Sequence, residues 1–200
     1  MVCWHDRYNL GDEQPNDDPD DYMLYVIDSN EFEARLEAFW EERYGDKPWD
    51  YKEQQEWVRE QRLMIQEEFE KTYVSLPLYL YDHSGLSMST SSFSCPWDSG
   101  QVGFIYAKKD DDEELLRMLL VNEVEVYDQY LQGEVYGFVL LNEDGEEEDA
   151  CWGFFGDDWR ENGMADHVDI SEVKEVHHME PQTQEVMITG EVEYVSGEAA

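Results

Sequence analysis

The feature that most constrains this chain is an excess of carboxylates that few basic side chains offset. Its 200 residues include 50 Asp and Glu but only 13 Lys and Arg, which gives a formal net charge of −37. Such a charge is typical of disordered segments, but those segments are poor in aromatic and aliphatic residues. Here 41% of the residues are hydrophobic and 14% are aromatic. We therefore expect a folded protein with an apolar core and an acidic surface.

The carboxylates are unevenly distributed along the chain. From Met118 to Ala200 there are 22 acidic residues and only two basic ones, Arg160 and Lys174. Ion pairing cannot neutralise this part, so its surface carries a broad negative potential. Affinity for DNA and RNA comes mainly from Lys and Arg, so we expect no direct nucleic-acid binding and infer that a large partner presents a basic surface. Solubility or adaptation to a high-salt cytoplasm is the alternative explanation of the charge.

The cysteines and the termini indicate the cellular compartment. Cys3, Cys95 and Cys151 are widely spaced and odd in number, so we expect reduced thiols. The N-terminus lacks the basic start and apolar stretch of a signal peptide. No apolar run reaches the roughly 18 residues that cross a bilayer. These features predict a soluble cytoplasmic protein that binds no membrane, and they leave its oligomeric state open.

Turn residues and hydrophobic spacing divide the first half of the chain into short elements. The expected order is strand 1–8, loop 16–21, strand 23–27, helix 30–45 and helix 48–72. Asn30 is the expected N-cap of the first helix, because Glu33 follows at the spacing of a capping box. Pro48 is the expected start of the second helix. We expect these two helices to form an antiparallel pair.

The second half is richer in strands. The expected order is strand 76–85, strand 100–107, helix 110–130, hairpin strands 134–142 and 150–156, a short helix 171–178 and an edge strand 186–195. The Asp144-Gly145 pair marks the hairpin turn. The spacing of apolar residues in helix 110–130 predicts a buried stripe formed by Leu115, Leu116, Leu119, Leu120 and Val124.

This order of elements predicts an α+β fold. We expect a single domain over residues 1–170, with an antiparallel or mixed sheet and helices packed on one face. The helical pair at about 30–73 is an insertion in that domain. Residues 171–200 are expected to be an acidic C-terminal extension.

Three sequence blocks are distinctive: WHDRYNLGDE (residues 4–13), PLYLYDHSG (77–85) and FSCPWDSGQVGFIY (93–106). With YDQYLQGEVYGF, CWGFFG and ENGM further along, they resemble a family of uncharacterised proteins encoded by bacteriophages and prophages. The match covers the N-terminal dozen residues and roughly residues 76–167. The resemblance implies a phage or mobile-element origin and a role inside the infected cell, and it implies no known reaction.

The same blocks contain the groups that a thiol enzyme uses. Cys95 is a candidate nucleophile, His83 or His5 its base, and Asp82 or Asp98 the orienting carboxylate. A catalytic pair requires contact in space, which sequence spacing does not establish. In the structural alternative the two aspartates cap turns and His83 is a polar residue at a strand end.

The charge leads to a different hypothesis, which we favour over the enzyme. A phage-encoded inhibitor could present carboxylates in place of phosphates to a basic channel of a host defence protein, since duplex DNA carries one charge per about 1.7 Å. The candidate partner-binding residues are Glu143, Asp144, Glu146, Glu147, Glu148, Asp149, Asp157 and Asp158. We expect no metal site, because this acidic run lacks the ligand spacing of a calcium loop, and no cofactor, because no phosphate-binding glycine motif is present.

The first prediction concerns nucleic acids. The purified protein should show no measurable affinity for DNA or RNA at moderate ionic strength, because its potential repels phosphates. Fluorescence anisotropy with labelled single-stranded and duplex oligonucleotides measures this, with a basic protein as the positive control. Tight binding to either oligonucleotide would refute the electrostatic argument.

Overall fold

A computed structural model describes residues 1–45, 50–142, 144–168, 175–177 and 185–188. Helices and two β-sheets are both present, which confirms the α+β class. The chain divides into two compact units. The first unit consists of Met1–Asp82 and Ser89–Glu123, and the second of His83–Met88 and Val124–Ala200. The expected domain boundary at residue 170 stays a prediction.

The secondary structure elements are numbered in chain order. They are β1 (Val2–Cys3), α1 (Pro19–Ile27), α2 (Asn30–Arg43), α3 (Tyr51–Thr72), β2 (Tyr73–Asp82), β3 (Leu86–Ser89), β4 (Ser99–Lys108), α4 (Glu113–Gln132), β5 (Val135–Leu141), β6 (Glu147–Phe155), a turn of 3-10 helix (Met164–Asp166), β7 (Glu175–His177) and β8 (Glu185–Ile188). No helix in the described part of the chain combines the length and apolarity that a membrane span requires.

Strand β4 organises the first unit. It lies between β1 and β2 and is antiparallel to both. Val2 of β1 lies opposite Phe104 of β4, and these two residues share a buried cluster with Tyr22 of α1 and Phe69 of α3. Because side chains alternate between the two faces of a strand, this cluster places α1 and α3 on the same face of the sheet.

Helix α1 corrects two expectations, since residues 16–21 were assigned to a loop and residues 23–27 to a strand. A carboxylate oxygen of Asp18 accepts hydrogen bonds from the backbone N–H groups of Asp20 and Asp21, at 3.0 and 3.1 Å. Pro19 occupies the first turn, where the missing N–H has no intrahelical partner to lose. An aspartate followed by proline and further acidic residues is a helix-start signal, so the sequence contained this information.

The helical pair follows, with a different cap from the expected one. The Ser29 hydroxyl, not Asn30, caps α2 by accepting a hydrogen bond from the Phe32 N–H at 3.3 Å. Helix α3 begins after Asp50, which forms a reciprocal capping box with the third helical residue. The expected start at Pro48 lies outside the described residues.

Ion pairs show how α2 and α3 are arranged. Arg35 near the start of α2 pairs with Glu68 near the end of α3, at 3.1 Å. Arg43 at the end of α2 pairs with Glu60 earlier in α3, at 2.9 Å. This order confirms the antiparallel pair. Between the helices, the buried core consists of Phe32, Leu36 and Ile65.

Helix α4 buries a narrower stripe than its sequence suggests. Leu120 and Val124 are buried, but Leu115 and Leu119 remain 45% and 52% exposed. Apolar residues occupy a wide arc of this helix, and burial also requires a neighbouring element that covers the arc. The acidic run before the helix supplies the N-cap, since a carboxylate oxygen of Asp112 accepts a hydrogen bond from the Leu115 N–H at 3.0 Å.

The second unit contains a mixed sheet in which β5 is an inner strand, between β6 and β8. Strand β5 is antiparallel to β6 and parallel to β8, and β7 is antiparallel to β8. The pairing of β5 with β6 confirms the expected hairpin. The described core of this unit consists of Phe138, Trp159, Met164 and Val168.

The end of the chain departs from the sequence prediction. A helix was expected over residues 171–178, but residues 175–177 form strand β7. The segment 186–195 was expected at a sheet edge, but β8 lies between β5 and β7. Short apolar runs are ambiguous between helix and strand, and strand order depends on pairings that a single sequence does not contain. The remainder of both segments lies outside the described residues.

The second prediction tests the β1–β4 pairing. A Cβ added at Gly103 would collide with the Val2 carbonyl and lie 2.9 Å from Cys3 Cα. Gly103→Ala should therefore lower the free energy of unfolding by about 1–3 kcal/mol, the usual cost of overpacking. Gly100→Ala in the same strand is the matched control, since nothing lies within 4 Å of its added Cβ. Urea denaturation measures both, and equal stabilities would contradict the pairing.

Candidate functional site

Parts of the three distinctive blocks meet in the first unit. The backbone N–H of Trp4 donates a hydrogen bond to the Val102 carbonyl at 2.7 Å. This bond extends the β1–β4 pairing by one residue. The Arg7 guanidinium pairs with the Asp82 carboxylate at the end of β2. Strand β2 pairs with β4 along its length. The N-terminal block, β2 and β4 thus lie side by side in the first unit, although they are distant in sequence.

A cleft of about 590 Å³ opens on this sheet. Rings from the three blocks line its sheet side: Trp4, Tyr79 and Phe104. Polar side chains of α1 and α3 line its helix side: Asp20, Arg62, Gln66 and Glu70. None of the candidate catalytic residues lies in this lining, and the cleft was not predicted from the sequence. The available signal was an aromatic residue in each of the three blocks.

The candidate nucleophile contacts a carboxylate. The Cys95 thiol donates a hydrogen bond to Asp98 at 3.3 Å, and the Asp82 N–H donates to the Asp98 carbonyl at 2.8 Å. The structure therefore brings these three candidates together at one end of the β2–β4 pair. A catalytic thiol requires contact with a general base, which in the enzyme hypothesis is His83 or His5. The hydrogen bond observed for the Cys95 thiol goes to a carboxylate instead.

The two candidate bases lie at turns. His83 begins the segment His83–Met88 of the second unit, which contains most of β3, and its backbone N–H donates to the Gly85 carbonyl at 3.2 Å. His5 belongs to the first unit. Its Nδ1 accepts hydrogen bonds from the N–H groups of Arg7 and Tyr8, at 3.2 and 3.3 Å, and its ring stacks on Tyr8. The His5 Nδ1 lone pair thus holds the turn that directs Arg7 towards β2.

The acidic run lies mostly within a strand and not at a hairpin tip. Glu147, Glu148 and Asp149 are the first three residues of β6, and all three are exposed. Strand β6 is an edge strand of its sheet. Within the described residues, no Lys or Arg forms an ion pair with these carboxylates or with Glu146. As far as the described residues show, their charges therefore face solvent.

The other candidate partner-binding residues differ in their surroundings. Asp158 accepts a hydrogen bond from the Arg160 N–H at 2.9 Å and pairs with its guanidinium at 3.6 Å. Asp157 and Asp144 are exposed. Glu143 lies outside the described residues. Asp158 thus has a local structural contact, whereas the β6 carboxylates have no cationic contact within the described part of the chain.

Neither a metal centre nor a relative helps to define the site. Among the described residues, no group of three or more His, Cys, Asp or Glu side chains is placed to hold a metal ion. The chain matches no family model, no curated protein and no solved structure.

The third prediction concerns the thiols. Burial raises the pKa of the Cys3 thiol to about 11, whereas Cys95 and Cys151 are partly exposed. Iodoacetamide reacts with thiolates, so at pH 8 the native protein should be alkylated at Cys95 and Cys151 well before Cys3. Peptide mass spectrometry over a time course measures this order. Denatured protein is the control, in which the three rates should converge, and early labelling of Cys3 would contradict the burial of β1.

Proposed function

We propose that this protein is a phage-encoded inhibitor that acts in the host cytoplasm and occupies the nucleic-acid-binding surface of a basic host defence protein. The observation that carries the proposal is the run of exposed carboxylates at the start of β6, Glu147, Glu148 and Asp149. Glu146 precedes it directly and is also exposed. The pairing with β5 has a register shift within this run, because Leu140 lies opposite Asp149 and Leu141 opposite Glu147, so Glu148 is an additional residue on β6.

The spacing of these charges resembles that of a nucleic-acid backbone. A β-strand rises about 3.3 Å per residue, and each strand of DNA carries one phosphate per about 3.4 Å of helix axis. Consecutive carboxylates at the start of β6 therefore carry charge at a linear density close to that of one DNA strand, divided between the two faces of β6. A basic groove that encloses both faces of β6 is complementary to this charge.

The distribution of basic residues makes the second unit the more negative surface. In the first unit, arginines form ion pairs with carboxylates, as Arg35, Arg43 and Arg62 do. In the described part of the second unit, Arg160 is the one Lys or Arg, and it pairs with Asp158. A cationic partner would therefore be attracted most strongly to the second unit.

The fourth prediction tests whether the carboxylates at the start of β6 bind the partner, by replacing them with uncharged amides. Replacing Glu146, Glu147 and Glu148 by Gln and Asp149 by Asn should weaken capture of the partner from host lysate, mainly by slowing association. Raising the salt from about 0.1 M to about 1 M should weaken wild-type capture strongly, because the screening length falls from about 10 to about 3 Å. Pull-down identifies the partner, and surface plasmon resonance then gives the association rates.

A second set of substitutions controls for total charge. Helix α2 carries Glu33, Glu37, Glu41 and Glu42 on exposed positions, and replacing them by Gln removes the same charge from the first unit. This variant should retain most of the association rate. Cys95→Ala and His83→Ala should also retain partner capture and biological effect. Loss of effect in both, with the fold preserved, would favour the thiol enzyme, and salt-independent capture would refute the acidic surface.

A further inference from the structure

We propose that the cleft of the first unit is a second binding site, which takes a flat aromatic amine. Its volume of about 590 Å³ lies within the range of about 300–1,000 Å³ that is typical of small-molecule sites. Its lining combines apolar rings on one side with polar groups on the other, and such polar groups fix the orientation of a bound ligand. The proposal does not depend on the acidic strand β6, which belongs to the other unit.

The aromatic side of the cleft is held in place before any ligand binds. The indole N–H of Trp4 donates a hydrogen bond to the Asp17 carbonyl at 2.6 Å. The indole ring packs on Phe104 with centroids 5.7 Å apart and meets Tyr22 edge to face at 5.9 Å. Phe104 is itself only 5% exposed. A ligand ring that stacks on Trp4 therefore needs little reorganisation of the site.

The polar side favours a positive charge on the ligand. Arg62 Nε donates to both carboxylate oxygens of Asp20, at 3.2 and 2.9 Å, so its charge is compensated within the protein. The Glu70 carboxylate accepts a hydrogen bond from the neutral amide of Gln66 at 3.0 Å. The lining thus retains a negative charge at Glu70.

An ammonium group on the ligand is attracted both to Glu70 and to the partly exposed rings of Trp4 and Tyr79. A phosphate or carboxylate on the same ring would be repelled by Glu70 and by the net charge of −37. These two effects define the ligand class as a ring system that carries a cation and no anion.

Two probes that share a ring and differ in charge test this class. Tryptamine carries an ammonium group on an indole, and indole-3-acetate carries a carboxylate on the same indole. We expect tryptamine to bind the full-length protein saturably, at least about tenfold more tightly than indole-3-acetate, a difference of about 1.4 kcal/mol. Saturation-transfer NMR detects binding, and isothermal titration calorimetry gives the affinities.

Matched variants assign the binding to the cleft. Glu70→Gln should weaken tryptamine binding by about three- to fivefold, the effect of one partly solvated charge. Glu67→Gln makes the same change on α3 at an exposed position outside the cleft lining and should leave the affinity unchanged. Gln101 is an exposed lining residue of β4, so Gln101→Trp should occupy the cleft and abolish binding without unfolding the protein.

Each outcome supports or overturns the proposal. Absence of tryptamine binding to the wild type, or equal affinity for both indoles, would refute the ligand class. Binding that neither Glu70→Gln nor Gln101→Trp reduces would place the ligand outside the cleft and refute the site. Circular dichroism confirms the fold of each variant, and Glu70→Gln decides the question if Gln101→Trp unfolds. Partner capture through β6 is measured separately, so failure of one proposal leaves the other testable.

Discussion

Aromatic packing against β4 is the interaction on which the first unit depends. The Phe69 ring of α3 lies 5.9 Å from Phe104 and 5.3 Å from Tyr106, centroid to centroid, and both contacts are edge to face. Fully burying one such side chain contributes about 1.5–3 kcal/mol. The net charge of −37 opposes compaction by self-repulsion, so a concentrated aromatic cluster is needed where carboxylates dominate the surface. The same cluster fixes Trp4 and Phe104, and thereby one side of the cleft.

Ion pairs formed by the few Lys and Arg residues stabilise the contact between α2 and α3. Glu68 is shared by Lys71 at 2.7 Å and Arg35 at 3.1 Å. The hydrogen bond from Lys71 and, after it, the one from Arg35 lower the pKa of the Glu68 carboxyl. A lowered pKa in the folded state means that this contribution to stability is present above the unfolded pKa. It is lost as the pH falls through the folded pKa. The basic residues used here are unavailable to neutralise the rest of the surface.

The sequence predicted the elements whose patterns are local. The strand-length apolar runs that became β2 and β4, the helical spacing of α2 and α3, and the Asp-Gly turn between β5 and β6 are signals of this kind. Helix α1 was missed although Asp18 and Pro19 marked its start, because the following apolar run has the length of a strand. The exposure of Leu115 and Leu119 depends on which neighbours cover α4, and that information is tertiary. The cleft was missed for the same reason, since its lining comes from three separated blocks and two helices.

The carboxylates of β6 also have to be weighed against a simpler role at a sheet edge. Exposed edge strands pair with other chains unless charges, prolines or bulges prevent it. In β6, Glu147, Glu148 and Asp149 are consecutive, so they project from both faces of the strand. Edge protection does not explain this density of charge, and it does not explain why Glu146 continues the run beyond the strand. In the proposed inhibitor, recognition by a basic groove would account for both features, and the same charges would keep the edge from pairing until a partner covers it.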